Sequence, residues 1–201
     1  FNWRFSPLAE ELREAPKKYG RFLRLSYLGA DDITNWKGYG PGYYAIDPIG
    51  GGALLTSLSH TVDLFLHIMG PGSFIHASCG RNLAFGGVDT SWTIELFHEQ
   101  GGTSTLSFMW TDRQPTVNQW FGVMDSGRMF AANGDPKYWP AGMDMHLDCM
   151  RTFLGWVDGG EPGNLCILHQ ALETMQTLDI IRDVATAPLT EEQLKILRSG
   201  K

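Results

Sequence analysis

From Ser73 to Ala132 apolar residues recur at every second position, and helical spacing holds on either side of that block; this change of period constrains the fold more than any other feature. Five segments alternate well enough to be strands: 73–81, 91–98, 103–110, 117–123 and 128–131. Glu99-Gln100-Gly101-Gly102 and Asp125-Ser126-Gly127 read as hairpin connections between them. Upstream, Ser6-Pro7 supplies a capping residue and a first-turn proline, and Leu8, Leu12 and Ala15 follow at helical spacing, which predicts a helix over 7–18. A strand is expected over 21–28, then a long irregular loop over 29–49. A helix over 51–69 is stopped by Gly70-Pro71-Gly72; its stripe of Leu54, Leu55, Leu58, Val62, Phe65 and Leu66 needs a sheet to pack on. Helices over 145–157 and 164–185 follow, then a short terminal one capped by Thr190 over 191–197. This order predicts an α+β fold, a single domain over 1–201, rather than alternating βαβ units.

Composition matters mainly for what it excludes. A formal net charge of −6, with basic residues scattered except around Arg13 to Arg24, argues against a nucleic-acid partner. Cys79, Cys149 and Cys166 lie far apart and in no C-x-x-C spacing, which fits a reducing cytoplasm better than a disulfide framework or zinc site. His60, Asp63 and His67 interrupt the longest apolar run, so no membrane span is expected. The chain opens Phe-Asn-Trp-Arg, which reads as the middle of a strand, and it is expected to be part of something longer.

The chemistry concentrates where the glycines at 50–52 open into the helix bearing His60 and Asp63. Histidine titrates near neutrality and can take or give the proton of a hydroxyl group, so His60 is the candidate general acid/base; the plain alternative is a core histidine bonded to backbone groups. His60, Asp63 and His67 share a helix face, but two helical turns span about 10 Å, too far for one metal ion. No metal site is expected. Neither G-x-G-x-x-G nor G-x-x-x-x-G-K-[ST] is present, so the commonest phosphate cradles are missing. Trp36, Tyr39, Tyr43 and Tyr44 either wall a pocket or plug the loop onto the domain.

Four features in order resemble the C-terminal domain of the Gfo/Idh/MocA (glucose-fructose oxidoreductase, inositol dehydrogenase and rhizopine-catabolism) family. They are Asn2-x-Arg4-Phe5-x-Pro7, Gly50-Gly51-Gly52-Ala53-Leu54-Leu55 leading to His60-x-x-Asp63, the strand Trp92-x-Ile94-x-Leu96 with its glycine hairpin, and Gly159-Gly160-Glu161-Pro162 before a long helix. The resemblance covers essentially the whole chain. It implies an open, largely antiparallel mixed sheet with helices packed on one face, and a preceding Rossmann domain, absent from this chain, that mainly binds NAD or NADP. Family members oxidise or reduce a carbinol carbon of a sugar, cyclitol or nucleotide sugar.

His60 falls on the family's catalytic histidine, and Thr56 stands where an aspartate is frequent, so threonine can only hydrogen-bond the imidazole. The resemblance further implies substrate contacts from Arg4, Trp36, Tyr43, Thr56 and Asp63, and a cofactor contact from Asn2 on the opening strand. Arg4 could equally pair with an acidic helix residue, and Asp63 could fix the helix to a neighbouring loop. Trp92, Trp110, Trp120, Phe97, Phe108 and Phe121 are expected in the core or on a sheet face used for homo-oligomer contacts. His98, His146 and His169 are expected at the surface or between helices. The leading expectation is therefore the substrate-binding domain of an NAD(P)-dependent oxidoreductase in the cytoplasm, acting on a sugar-like molecule. The alternatives are a binding or oligomerisation module that keeps the fold without the chemistry, and a hydrolase or aldolase-like enzyme using His60 and Asp63 without nicotinamide.

Overall fold

A computed structural model describes the chain except residues 37, 41, 48–50, 83–84, 113–115, 134–136, 138–143 and 187–201, and the side chains of 73–74. The terminal helix expected over 191–197 lies outside the described residues. The elements are α1 (Pro7–Tyr19), β1 (Phe22–Asp32), α2 (Ser59–Met69), β2 (Gly72–Arg81), β3 (Asp89–His98), β4 (Thr103–Thr111), β5 (Val117–Met124), β6 (Met129–Ala132), α3 (Met145–Val157) and α4 (Leu168–Thr186). They form an α+β fold around one six-stranded mixed sheet, in the order β2-β3-β4-β1-β5-β6. Only β1 and β4 run parallel; every other pair is antiparallel.

The period-two block places its five strands within two residues of the expected bounds, because alternation is what a half-buried sheet demands. Inward-facing Trp92, Ile94, Leu96, Leu106, Phe108 and Trp120 are buried against Leu58, Val62 and Phe65 on the helix side. The Phe65 ring meets Trp120 edge-on at 5.5 Å, and Tyr27 tilts against the same indole at 4.9 Å. Outward-facing Leu28, Met109, Phe121, Val123 and Met129 remain exposed, and α3 buries none of its residues. Apolar surface thus stays open on the outer sheet face and along α3.

Four expectations need correction. The opening residues form a 3-10 turn, Asn2–Phe5, rather than a strand. Ser6 explains this: its N–H and its hydroxyl both donate to the Trp3 carbonyl while the hydroxyl accepts from the Ala9 N–H, closing one turn and capping the next helix. Strand β1 runs on to Asp32, through what was expected to be loop, because β4 continues to pair with it as far as Asp32 opposite Thr111. Gly29 permits the pairing, since the Tyr27 ring occupies the space a side chain there would need. Helix α4 begins at Leu168, four residues later than its period suggests, with Asn164 held outside it by Arg13. His98 is buried in the sheet: its Nδ1 donates to the Gly70 carbonyl at 2.7 Å and its Nε2 accepts from the Ser104 hydroxyl at 2.8 Å.

Candidate functional site

The α2 helix is preceded by a π-helical stretch, Leu54–Leu58. Its first N–H, from Leu54, donates to the Asp89 carboxylate at 2.9 Å, and the Asp89 side chain occupies the space a Cβ at Gly52 would fill. Glycine at 52, with φ of 103°, is therefore required for this helix start. Wide helical turns of this kind recur at functional sites. Here the turn carries Thr56 and Ser57 to the wall of a cavity of about 390 Å³, joined by His60 from the first turn of α2. Trp3, Tyr27, Asp31 and Trp36 complete much of the wall.

The His60 imidazole stacks on the Trp3 indole, with centroids 5.6 Å apart and planes 16° from parallel, and Phe1 meets it edge-on at 5.9 Å. Its Nδ1 is buried and has no hydrogen-bond partner among the described residues. Burial above all holds its pKa down to about 4, against a smaller opposing pull from Asp63. The ring is neutral near pH 7 and can accept a proton. Thr56 does not hydrogen-bond it, contrary to expectation: the hydroxyl donates back to the Gly52 carbonyl at 2.7 Å.

Trp36 reaches the cavity and donates its indole N–H to Asp31 at 2.9 Å. Tyr43 stands behind it, packed against Trp36, Tyr39 and Tyr44 and outside the cavity wall, so it supports Trp36 instead of lining the site. Arg4 and Asp63 are not in the wall either. They form a buried bidentate pair, Nε to Oδ2 at 2.8 Å and Nη2 to Oδ1 at 2.7 Å, with exposures of 2% and 0%. Gln170 accepts from Arg4 at 2.6 Å and the Thr174 hydroxyl donates to Asp63 at 3.1 Å, so the pair ties the opening turn, α2 and α4 together. A charge so enclosed is satisfied by its partner and is not offered to a ligand. Asn2 pairs with the His146 ring at 3.1 Å, fixing the opening turn to α3.

Asp31, Tyr27 and Trp3 are site residues that sequence reasoning missed. The Asp31-Asp32 pair ahead of four aromatics was the available signal, but the expected loop hid that Asp31 is the last residue but one of a strand. Among the described residues no three His, Cys, Asp or Glu side chains come close enough to hold a metal ion, and no helix is long and apolar enough to cross a membrane.

His67, like His60, is pushed down to about 4, by burial and then by Arg4, and burial also lowers His98. In the unfolded chain these rings titrate at roughly 6.5. Their contribution to stability is therefore complete above about pH 6.5 and is lost as the pH falls; for His60 and His67 the loss continues towards about 4, where the folded protein begins to bind the same protons. Urea unfolding compared at about pH 7 and about pH 5 should show the lower midpoint at the acid value. Equal midpoints would mean that the buried rings protonate without cost.

The fold is one found among dehydrogenases. The chain is similar to a myo-inositol dehydrogenase from Corynebacterium glutamicum (TM-score 0.67, 13% identity, 92% of this chain and 60% of that one). It is similar to an oxidoreductase from Agrobacterium radiobacter solved with NAD+, L-tartaric acid and magnesium (TM-score 0.67, 15% identity, 92% of this chain and 61% of that one). A third likeness is to the WlbA dehydrogenase from Bordetella pertussis in complex with NADH and UDP-GlcNAcA (TM-score 0.67, 16% identity, 93% of this chain and 61% of that one). The resemblance to the Gfo/Idh/MocA C-terminal domain therefore holds at the level of fold, and the chain spans about three fifths of the length of these neighbours. No family model matches the sequence, and no curated protein matches it.

Proposed function

We propose that this chain is the substrate-binding domain of an NAD(P)-dependent oxidoreductase acting on a sugar or cyclitol, with His60 as the general acid/base. The observation that carries the reading is a neutral imidazole at the wall of a cavity, in a fold shared with NAD-binding dehydrogenases. The residues present do not suit the dinucleotide itself: the described lining holds no Lys or Arg for a pyrophosphate, and the Asn2 amide nitrogen is engaged by His146 while its oxygen is buried. NAD or NADP would then be held mainly by a Rossmann domain outside this chain. What these residues would do is bind and orient the ligand against Trp36, exclude water with their aromatic rings, and take the proton of a ligand hydroxyl at His60. The exposed apolar outer face of the sheet supports a homo-oligomer contact.

The test is NADH or NADPH formation by the intact natural polypeptide with a panel of sugars and cyclitols. Turnover with any of them is the expected result. Binding of a ligand in the cavity without turnover under any cofactor would leave the non-catalytic module as the better reading.

A further inference from the structure

Asp31 is the only formally charged side chain among the described residues lining the cavity. It sits at the end of β1, half-buried, and its two oxygens accept from neutral donors alone: the Trp36 indole N–H at 2.9 Å and the Thr116 hydroxyl at 3.2 Å. Among the described residues no cation pairs with it. Its neighbour Asp32 adds a second negative charge, and that carboxylate is likewise held only by uncharged donors, from Thr34 and Asn35. Burial accordingly raises the Asp31 pKa above the ordinary carboxylate range, with Asp32 pushing the same way against the two hydrogen bonds. A half-buried carboxylate without a counter-charge is costly to keep.

The rest of the wall has a matching chemistry. Trp3, Tyr27, Trp36 and Phe108 present aromatic rings to the same cavity, and His60 adds no positive charge near pH 7. A carboxylate among aromatic faces suits an ammonium ion, through charge-assisted hydrogen bonds to the oxygens and cation–π attraction to the rings. Thr56, Ser57, Thr116 and Asn118 supply neutral polar groups for hydroxyls. An anionic ligand would meet Asp31 with no compensating Lys or Arg among the described lining residues. We propose that the cavity takes an amine-bearing polyol, an amino sugar or amino cyclitol, with Asp31 binding its ammonium group.

This substrate class rests on the oxidoreductase reading only for what happens after binding. The test is calorimetric titration of the intact natural polypeptide with glucosamine, glucose, N-acetylglucosamine and glucuronate. Glucosamine should bind about tenfold or more tighter than glucose, the scale of one charge-assisted hydrogen bond. N-acetylglucosamine, whose nitrogen carries no charge, should lose that preference, and glucuronate should bind most weakly. In Asp31→Asn the preference for glucosamine over glucose should shrink to about twofold or less. Preference for glucose or glucuronate, no glucosamine binding, or an amine preference that survives in both the N-acetyl ligand and Asp31→Asn would overturn the proposal. Nicotinamide reduction, followed separately, reports on the other reading. Asp31-dependent amine binding without turnover sinks the oxidoreductase and leaves the ligand class standing; turnover of neutral polyols with no amine advantage does the reverse.

Discussion

Asp63→Ala should lower the unfolding free energy by about 3–5 kcal/mol, the range seen when one partner of a buried ion pair is removed. The size follows from what is left behind. Arg4 is 2% exposed, and two of its three bonds, at 2.8 and 2.7 Å, end on Asp63. Without the carboxylate the guanidinium keeps only Gln170, inside a region with no room to reach water. The Thr174 hydroxyl also loses its acceptor. Because the pair spans the opening turn, α2 and α4, its loss frees the turn that stacks Trp3 on His60. Urea denaturation gives the number, and Arg4→Met/Asp63→Leu separates its causes. If charge burial is the origin of the loss, the apolar double replacement should recover much of it. A loss below about 1 kcal/mol in Asp63→Ala would mean that the pair behaves as a surface contact.

His60→Ala in the intact natural polypeptide should reduce kcat by about 10²-fold or more, the usual contribution of a positioned general acid or base. His60→Gln controls for packing, because glutamine fills part of the space beside Trp3 but cannot take up a proton. Cofactor affinity should be unchanged in both, and the two should fall together if proton transfer is what is lost. The pH profile supplies an independent readout. With the imidazole pKa held down to about 4 by burial, the acid limb of kcat/KM should lie well below the position expected of an exposed histidine. Wild-type kcat in either variant would remove His60 from the mechanism and leave its ring as a packing partner of Trp3.

Local physics set much of this molecule, and the sequence shows where. Ser6 and Pro7 mark the start of α1, the glycines at 101–102 and 127 mark two hairpins, and alternation marks β3 to β5 almost residue for residue, since each needs only the neighbouring backbone or one buried face. Likewise His60 could be singled out because glycines opening into an amphipathic helix are visible in a short window. The long-range choices could not be read in this way. Alternation says which residues of β1 face inward, but not that β1 inserts between β4 and β5, nor that this pairing carries the strand on to Asp31. Arg4 and Asp63, 59 residues apart, were each readable as ligand-binding groups. Only when the opening turn is laid on α2 does desolvation force the two charges onto each other, removing both from the cavity and leaving Asp31 as the charge without an ionic partner among the described lining residues.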